Sequence, residues 1–170
     1  MITIHQKRLR SGLFGRYFNT YFSDNMSNLT TPTNSQVRTQ LNGYSVGTTD
    51  TWLFRGYFLA NTTATNWRFR TNSDDASYVW IGTNANQTDT NLNTSNAVVD
   101  NGGLHSERTR TSGNLSLTSG VAYPFAVVGG NNTGPGILTL QWRPDTTTAW
   151  SSSGGDFFRR NPKAANGYNP

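Results

Sequence analysis

The stretch WRFRTNSDDASYVWIG at residues 67–82 decides both the fold class and the candidate site of this chain. Its beginning alternates aromatic and basic residues, as expected of a strand with one buried face. Its end, YVWIG, is continuously apolar and predicts a strand buried on both faces. Two adjacent carboxylates, Asp74 and Asp75, separate the strands, and such a pair is costly there unless a cation or several donors neutralise it.

Further strand patterns occur on both sides of this stretch, and no window shows a sustained helical period with caps at both ends. They lie at residues 12–22, 52–59, 115–117, 123–128 and 137–142. The last two predict a hairpin around the Gly- and Asn-rich loop 129–136. About seven strands without helices between them predict an all-β fold, an antiparallel β-sandwich with few or no helices.

Length and composition fit one folded domain flanked by two arms. The chain has 170 residues, of which 34% are hydrophobic and 12% aromatic. The aromatic residues supply large buried areas that a disordered chain lacks. We expect a basic N-terminal arm at 1–11, the sandwich at 12–145 and an irregular C-terminal arm at 146–170.

The residues present offer little to catalysis. Because the chain has no cysteine, disulfides, thiolate metal sites and a cysteine nucleophile are excluded. Of the two histidines, His5 lies in the N-terminal arm and His105 in a loop-like stretch, where a solvated side chain is expected. No serine sits in a nucleophile elbow, and the spacing of Asp89 and Asp100 does not indicate a catalytic pair. We therefore predict that the protein is not an enzyme.

Charge and hydropathy indicate which partners and cellular locations to expect for this chain. Much of the net charge of +5 sits in the two arms, whereas a nucleic-acid reader places a basic patch with interleaved aromatics on the folded body. We therefore do not expect nucleic acid as a partner. No stretch approaches the roughly 20 apolar residues of a membrane span, and the N-terminus lacks the apolar region of a Sec signal peptide. Localisation stays open; a virion or cell-surface assembly fits this pattern.

The acidic pair and the loop 129–136 each have two interpretations on the residues alone. Calcium takes about six to eight oxygen ligands, so a loop crowded with Asp, Asn and Gly suits it. A solvated turn, with Asp75 capping the entry of the next strand, is the alternative. The amides and carbonyls of the loop 129–136 would complete an oxygen cage or meet sugar hydroxyls, or the loop is simply a long hairpin turn.

Several motifs, in the right order, resemble a known family. WRFRTNSDDASYVWIG resembles the signature of the protective-antigen (PA-fourteen) domain and its GLEYA branch, in which a strand leads into Asp-Asp and an apolar strand ends in Gly. GLFGRYF at 12–18 resembles the opening strand, and WLFRGYFLANTTATNWRFRT at 52–71 resembles the segment before the acidic pair. SGVAYPFAVVGGNNTGPGILTLQW at 119–142 resembles the late hairpin. The resemblance covers most of the chain.

The resemblance implies a β-sandwich and, as in the adhesin members, a Ca²⁺ ion held by Asp74 and Asp75 across a cis peptide. Asn131 or Asn132 would be the side-chain ligand from the second loop, with nearby carbonyls completing the shell. Sugar hydroxyls would coordinate the same ion, which gives a ligand-binding set of Asp74, Asp75, Gly130, Asn131 and Asn132. The function implied is non-catalytic, calcium-dependent carbohydrate binding at a surface, lectin-like and adhesive, with a glycan or host-surface carbohydrate as partner.

A structural role is the alternative, because adhesin members are typically secreted and disulfide-stapled and this chain has neither a signal nor cysteine. The chain starts at Met1, and its basic arms would lie on neighbouring subunits of a virion, as in a phage capsid decoration or tail protein. The residues expected in these assembly arms are Arg8, Arg10, Phe157, Phe158, Arg159, Arg160 and Tyr168. The two roles are compatible, since a module displayed on a virion could bind host glycans.

Overall fold

The computed structural model of the chain describes residues 9–164. The described residues form four short 3₁₀ helices, at Met26–Asn28, Gly82–Ala85, Asp89–Asn91 and Thr94–Asn96, and none of their helices could span a membrane. They also form thirteen strands, which are β1 Arg10–Ser11, β2 Leu13–Phe18, β3 Asn34–Arg38, β4 Tyr44–Val46, β5 Asp50–Leu59, β6 Ala64–Asp74, β7 Ser77–Ile81, β8 Val99–Asn101, β9 Arg108–Thr111, β10 Leu115–Leu117, β11 Ala122–Asn131, β12 Gly136–Arg143 and β13 Phe158–Arg160.

The strands form two antiparallel sheets, which confirms the predicted β-sandwich, and no α-helix occurs among residues 9–164. The larger sheet has the order β1-β13-β5-β11-β7-β8, with β2 also paired to β5 and β3 to β2. The smaller sheet has the order β10-β6-β12-β4, with β9 also paired to β6. Strands β5, β11 and β7 thus form the middle of the larger sheet, and β6 and β12 form the middle of the smaller one.

Two apolar cores enclose the larger sheet. The first lies between the sheets, where the ring of Phe58 contacts those of Trp67 and Phe69 from β6. The second lies on the other face of the larger sheet and includes Phe22 and Trp80. Because β7 lies between these cores, all five of its residues are buried, as its continuous apolar run predicts.

A buried ion pair ties the helical segment 82–97 to the larger sheet. The guanidinium of Arg55, a fully buried residue of β5, lies 2.6 Å from Oδ1 of Asp89. Arg16 of β2 contacts the other carboxylate oxygen at 3.1 Å. Arg55 also donates to the carbonyls of Ala85 and Gln87, at 2.7 and 2.9 Å. The carboxylate of Asp89 therefore has a structural role in the fold.

All seven predicted strands are present, but the predicted late hairpin is wrong. Strand β11 pairs with β5 and β7 in the larger sheet, whereas β12 pairs with β6 and β4 in the smaller one. Their burial explains the difference: β11 is buried continuously over its last seven residues, while β12 alternates. A strand buried on both faces belongs in the sheet that lies between two cores. The connection 132–135 therefore crosses from one sheet to the other.

The expectation of an irregular C-terminal arm is wrong for Phe158–Arg160, which forms β13. This strand pairs with β5 on one side and with β1 on the other. Phe158 is fully buried, and its ring centroid lies 4.9 Å from that of Trp142. A three-residue strand after the glycines at 154–155 has no measurable period, so the sequence pattern could not reveal it.

The other arm residues that the structure describes also make contacts within the chain. The ring of Phe157 stacks on Phe58 with centroids 5.5 Å apart. Arg159 and Arg160 donate to backbone carbonyls of Gly155 and Ser11, and Arg10 pairs with Arg160 in the sheet. His5, Arg8 and Tyr168 lie outside the described residues, and the predicted domain boundaries at 12 and 145 stay a prediction.

Candidate functional site

One end of the sandwich brings the acidic pair next to the Asn- and Gly-rich loop. Strand β6 ends at Asp74, and the peptide bond between Asp74 and Asp75 is cis, as the resemblance implies. Asp74 opposes Ile137 in the pairing of β6 with β12, immediately after the connection 132–135. The two loops that the sequence singled out are therefore neighbours.

Asp75 is the buried member of the pair, with 7% of its surface exposed. Its Oδ1 accepts a hydrogen bond of 2.9 Å from the backbone N–H of His105. Its Oδ2 accepts one of 2.9 Å from the backbone N–H of Asn132. Each carboxylate oxygen has two lone pairs, so both retain one acceptor direction. Asp75 thus fixes two loops and can still coordinate a cation.

The carboxylate of Asp74 is half-buried and accepts no hydrogen bond from residues 9–164. Burial raises its pKa above the usual value, and the neighbouring charge of Asp75 raises it further. Glu107 acts in the same direction, whereas His105 lowers the pKa. The ionised carboxylate is therefore disfavoured by its surroundings, and a bound cation would reverse that preference.

The side chain of Asn131 is fully buried and its amide is held in one orientation. Nδ2 donates to the carbonyls of Gly134 at 2.6 Å and of Gly47 at 3.2 Å. Oδ1 is also buried but has no hydrogen-bond partner in the described part of the chain. Since nearly all buried polar atoms in folded proteins are satisfied, this oxygen indicates a missing partner.

Gly136 lets Asn131 approach the backbone of Asp74. A Cβ atom at position 136 would lie 2.6 Å from Cβ of Asn131 and 2.7 Å from the carbonyl oxygen of Asp74. Both distances are shorter than a carbon atom tolerates. The absence of a side chain at 136 is therefore required for the acidic pair and the unpartnered amide to share this end of the sandwich.

Asn132 and Gly130 complete the predicted ligand set, and they occupy different positions. Asn132 lies beside the acidic pair, and its carbonyl accepts from the N–H and the hydroxyl of Thr49 at 3.2 and 3.1 Å. Gly130 is fully buried in β11, where a Cβ atom would meet the ring of Phe22 at 2.6 Å. Its N–H donates to the carbonyl of Ala76 at 2.9 Å. Gly130 is therefore buried behind the acidic pair, where it packs against Phe22 and is hydrogen-bonded to Ala76.

Sequence reasoning missed the loop between β8 and β9. This loop supplies the backbone N–H of His105 that binds Asp75. Leu104, which precedes His105, is the most exposed large apolar residue among residues 9–164, with 65% of its surface exposed. The histidine is half-buried, and its ring nitrogens contact the carbonyls of Ser106 at 2.7 Å and Asn101 at 3.1 Å. The expectation of a solvated histidine therefore does not describe this residue.

Asp24 and Tyr21 form the other side of the site. Asp24 accepts hydrogen bonds from the N–H of Gly103, at 3.1 and 3.2 Å, and from the hydroxyl of Tyr78 at 3.0 Å. Burial raises the pKa of Tyr21 to about 12, with further contributions from the charges of Asp24 and Asp75. Asp24 joins the loop beside His105 across 79 residues of sequence, a contact that no local pattern encodes.

The donors assembled here fit a hard, oxygen-seeking cation. Residues 9–164 contain no group of three or more His, Cys, Asp or Glu placed to hold a metal, so the acidic residues alone do not form a complete site. Asp74, Asp75 and Oδ1 of Asn131 together offer the mixture of carboxylate and amide oxygens that Ca²⁺ accepts. Backbone carbonyls, water and ligand hydroxyls would supply the remaining positions.

Comparison with known proteins identifies the fold independently. The PA14 domain of MpAFP antifreeze protein is similar, with a TM-score of 0.70 and 13% identity over 92% of this chain and 95% of that chain. The epithelial adhesin 9 A domain from Candida glabrata, solved in complex with Galβ1-4GlcNAc, has a TM-score of 0.71 and 11% identity over 96% and 95% of the two chains. At these identities the likeness establishes the fold alone.

A third solved structure shares the fold, and a family model identifies the family. The PA14 sugar-binding domain from an RTX adhesin has a TM-score of 0.64 and 16% identity over 88% of this chain and 98% of that chain. No curated protein matches the sequence. Residues 51–143, more than half of the chain, match the GLEYA domain. The matched segment includes Asp74, Asp75, Asn131 and Asn132.

Proposed function

We propose that this chain, which belongs to the GLEYA domain family, is a non-catalytic module that binds carbohydrate at a surface through a Ca²⁺ ion. The observation that carries the proposal is the buried, unpartnered Oδ1 of Asn131 beside the acidic pair. The fold and family support it, because lectin-like adhesin domains share this architecture.

Asp74, Asp75 and Asn131 would hold the ion, and their roles differ. Asp75 is already fixed by two backbone N–H donors and would keep its position on binding. Asp74 would gain most, since burial and its neighbour's charge disfavour its ionised form. The ion would supply a Lewis-acidic centre with coordination positions for vicinal sugar hydroxyls.

The surroundings of the site suit a sugar. Leu104 is exposed and lies in the loop that supplies the His105 N–H. Its side chain offers an apolar surface to the C–H-bearing face of a sugar ring. Asn132 and the hydroxyl-bearing Thr133 flank the acidic pair on the opposite loop. Ligand sites generally combine an apolar surface with a few convergent polar groups in this manner.

Titration calorimetry against a panel of neutral glycans, in Ca²⁺ and in chelator, tests the proposal. We expect binding to at least one glycan in Ca²⁺ and its loss in chelator. The Asp75→Asn variant should lose binding, while Asp156→Asn, the same charge change at an exposed aspartate in the segment before β13, should retain it. Absence of any glycan binding together with absence of Ca²⁺ binding would overturn the proposal.

A structural role in a virion stays the alternative, and part of the residue set assigned to it, Arg8 and Tyr168, lies outside the described residues. Phe158 is buried in its own domain and Phe157 packs on its core, so neither is presented to a neighbouring subunit. The assembly contacts would therefore fall on the rest of the assigned set, which is Arg8, Arg10, Arg159, Arg160 and Tyr168. Light scattering of the full chain tests this alternative: a monomer at all concentrations counts against it, and a stable oligomer that dissociates on removing these residues supports it.

A further inference from the structure

The outer face of the smaller sheet carries a cluster of arginines that the candidate site does not use. On β6, Trp67 and Phe69 are buried between the sheets, so the alternate residues Arg68 and Arg70 lie on the opposite face. Arg143 of β12 is paired with Arg68 in the register and shares that face. Together with Trp150 these three residues form what we call the arginine face.

Trp150 holds two of the arginines in place. The guanidinium carbons of Arg70 and Arg143 lie 4.2 and 4.4 Å from the centroid of its ring. Both distances are well within the range of a cation–π contact. Nε of Arg70 also donates to Oε1 of Gln141 at 2.8 Å. The cations are thus oriented before any ligand arrives.

No carboxylate of residues 9–164 lies within ion-pair distance of the three arginines of this face. In residues 9–164 the side-chain ion pairs within 4.0 Å join Arg16 and Arg55, on the larger sheet, to Asp89 of the 3₁₀ helix Asp89–Asn91. Nε of Arg68 donates to the neutral amide of Asn114 at 2.8 Å. The charge of Arg143 and burial together lower the pKa of Arg70, burial being the larger cause. Two like charges beside one ring favour an anion with more than one oxyanion group.

The neutral residues around the arginines indicate which polyanion fits. Thr109, Thr111, Thr139 and Gln141 share the outer face of the sheet and offer hydroxyl and amide groups to sugar hydroxyls. The only aromatic ring of the arginine face is already covered by guanidinium groups. Single-stranded nucleic acid needs free aromatic faces on which its bases stack. The composition therefore favours an acidic sugar polymer over nucleic acid.

We propose that the arginine face binds an acidic polysaccharide that bears carboxylate or sulfate groups, independently of the candidate cation site. Arg70 and Arg68 precede Asp74 by four and six residues along β6, about 13 and 20 Å of strand. Both separations exceed the screening length of about 8 Å at physiological salt. Asp74 therefore lies beyond strong Coulomb interaction with these arginines, although another carboxylate is closer: Glu107 accepts a hydrogen bond from Nδ2 of Asn72, two residues from Arg70 on the same face.

Affinity for labelled heparin and polygalacturonate, measured in chelator, tests this proposal without involving the cation site. The R68Q/R70Q/R143Q variant should bind at least about tenfold more weakly than wild type, because it loses three charged donors. The R10Q/R110Q/K163Q variant has the same net charge and should change the affinity by less than about threefold. Heparin represents the sulfated source and polygalacturonate the carboxylated one.

Two further measurements keep the outcome interpretable. R68K/R70K/R143K retains the charge, and we expect an intermediate affinity because lysine lacks the planar fork of arginine. Asp75→Asn should bind the polyanions as wild type does, so failure here and failure of the calcium proposal are distinguishable. Equal weakening in both glutamine variants, no binding by the wild type, or preferential binding to single-stranded DNA would each overturn the proposal.

Discussion

The backbone N–H of Asn132 donates a hydrogen bond of 2.9 Å to Oδ2 of Asp75, and this contact joins two loops that lie 57 residues apart in sequence. The bond needs no metal, because donor and acceptor both belong to the chain. The acidic pair and the Asn/Gly loop are therefore brought together by folding itself. A cation bound there would enter a site whose backbone is already arranged, which limits the ordering cost of binding.

Asn131→Asp is expected to make the stability of the domain depend more strongly on calcium. The variant places a second buried carboxylate near Asp75 and loses the donation of Nδ2 to Gly134 and Gly47. In chelator we expect a loss of about 1–3 kcal/mol in the free energy of unfolding. Added Ca²⁺ should recover much of it, since ligand charge strengthens Ca²⁺ sites. Thermal denaturation with and without Ca²⁺ measures both; an equal loss in the two conditions would exclude Oδ1 as a ligand.

Gly136→Ala is expected to disturb the site through packing alone. The new Cβ would lie 2.6 Å from Asn131 Cβ and 2.7 Å from Asp74 O, so the two loops must separate. We expect a destabilisation of about 1–3 kcal/mol, as for overpacked core positions, together with weaker Ca²⁺ binding. Gly113→Ala is the matched control, since nothing lies within 4 Å of a Cβ there. Chemical denaturation of both variants checks the stabilities.

Asp89→Asn should strongly destabilise the attachment of the helical segment 82–97 to the larger sheet. It leaves the fully buried guanidinium of Arg55 without its counter-charge, which costs about 3 kcal/mol or more. Arg16→Ala removes the more exposed partner of the same carboxylate and should cost less than about 1 kcal/mol. Urea unfolding curves measure both. Similar losses in the two variants would contradict the distinct roles assigned to the two arginines.

Asp145 is expected to make a pH-dependent contribution to stability. Its carboxylate accepts from the N–H groups of Thr148 and Thr147, at 2.6 and 2.8 Å, and from their hydroxyls, which lowers its pKa to about 2. Since the folded pKa lies below the ordinary value of 3.8, the contribution is complete above pH 3.8. It is lost as the pH falls through about 2. The stability difference between wild type and Asp145→Ala should therefore be larger at pH 6 than at pH 2; a constant difference would contradict this.

The sequence predicts the features of this fold that follow from a regular residue pattern along a strand. Alternation on β6 and the continuous apolar run of β7 give the correct strands and the correct burial, because side-chain direction in a strand is set locally. The partner of β12 could not be read in this way. Whether two consecutive strands form a hairpin or cross between layers depends on which sheet lies between two cores, a property of the whole fold.

In the candidate site, too, some residues are predictable from the sequence and others are not. The Asp74–Asp75 pair and Asn131 stand out in sequence, since each is a polar feature beside an apolar strand. His105 binds Asp75 through its backbone N–H, and Asp24 acts through a contact that spans 79 residues. Neither side-chain chemistry nor spacing reveals a backbone donor, so this half of the site becomes visible only in three dimensions.

Strand β5 runs between two ends of the domain that carry different contacts. Its first residue, Asp50, is opposite Asn131 at the candidate site, whereas Phe58, near its far end, is opposite Phe158 of β13. About 25 Å of strand separates these two positions. Strand β13 runs antiparallel to β5, from Phe158 opposite Phe58 to Arg159 opposite Tyr57, so its end points back towards the candidate site. The start of β1 lies beside that end, because Arg10 pairs with Arg160. A label or tether that is to stay clear of the Asp74–Asp75 loops therefore belongs at the Phe58 end of β5, about 25 Å away, and not on the ends of β1 or β13.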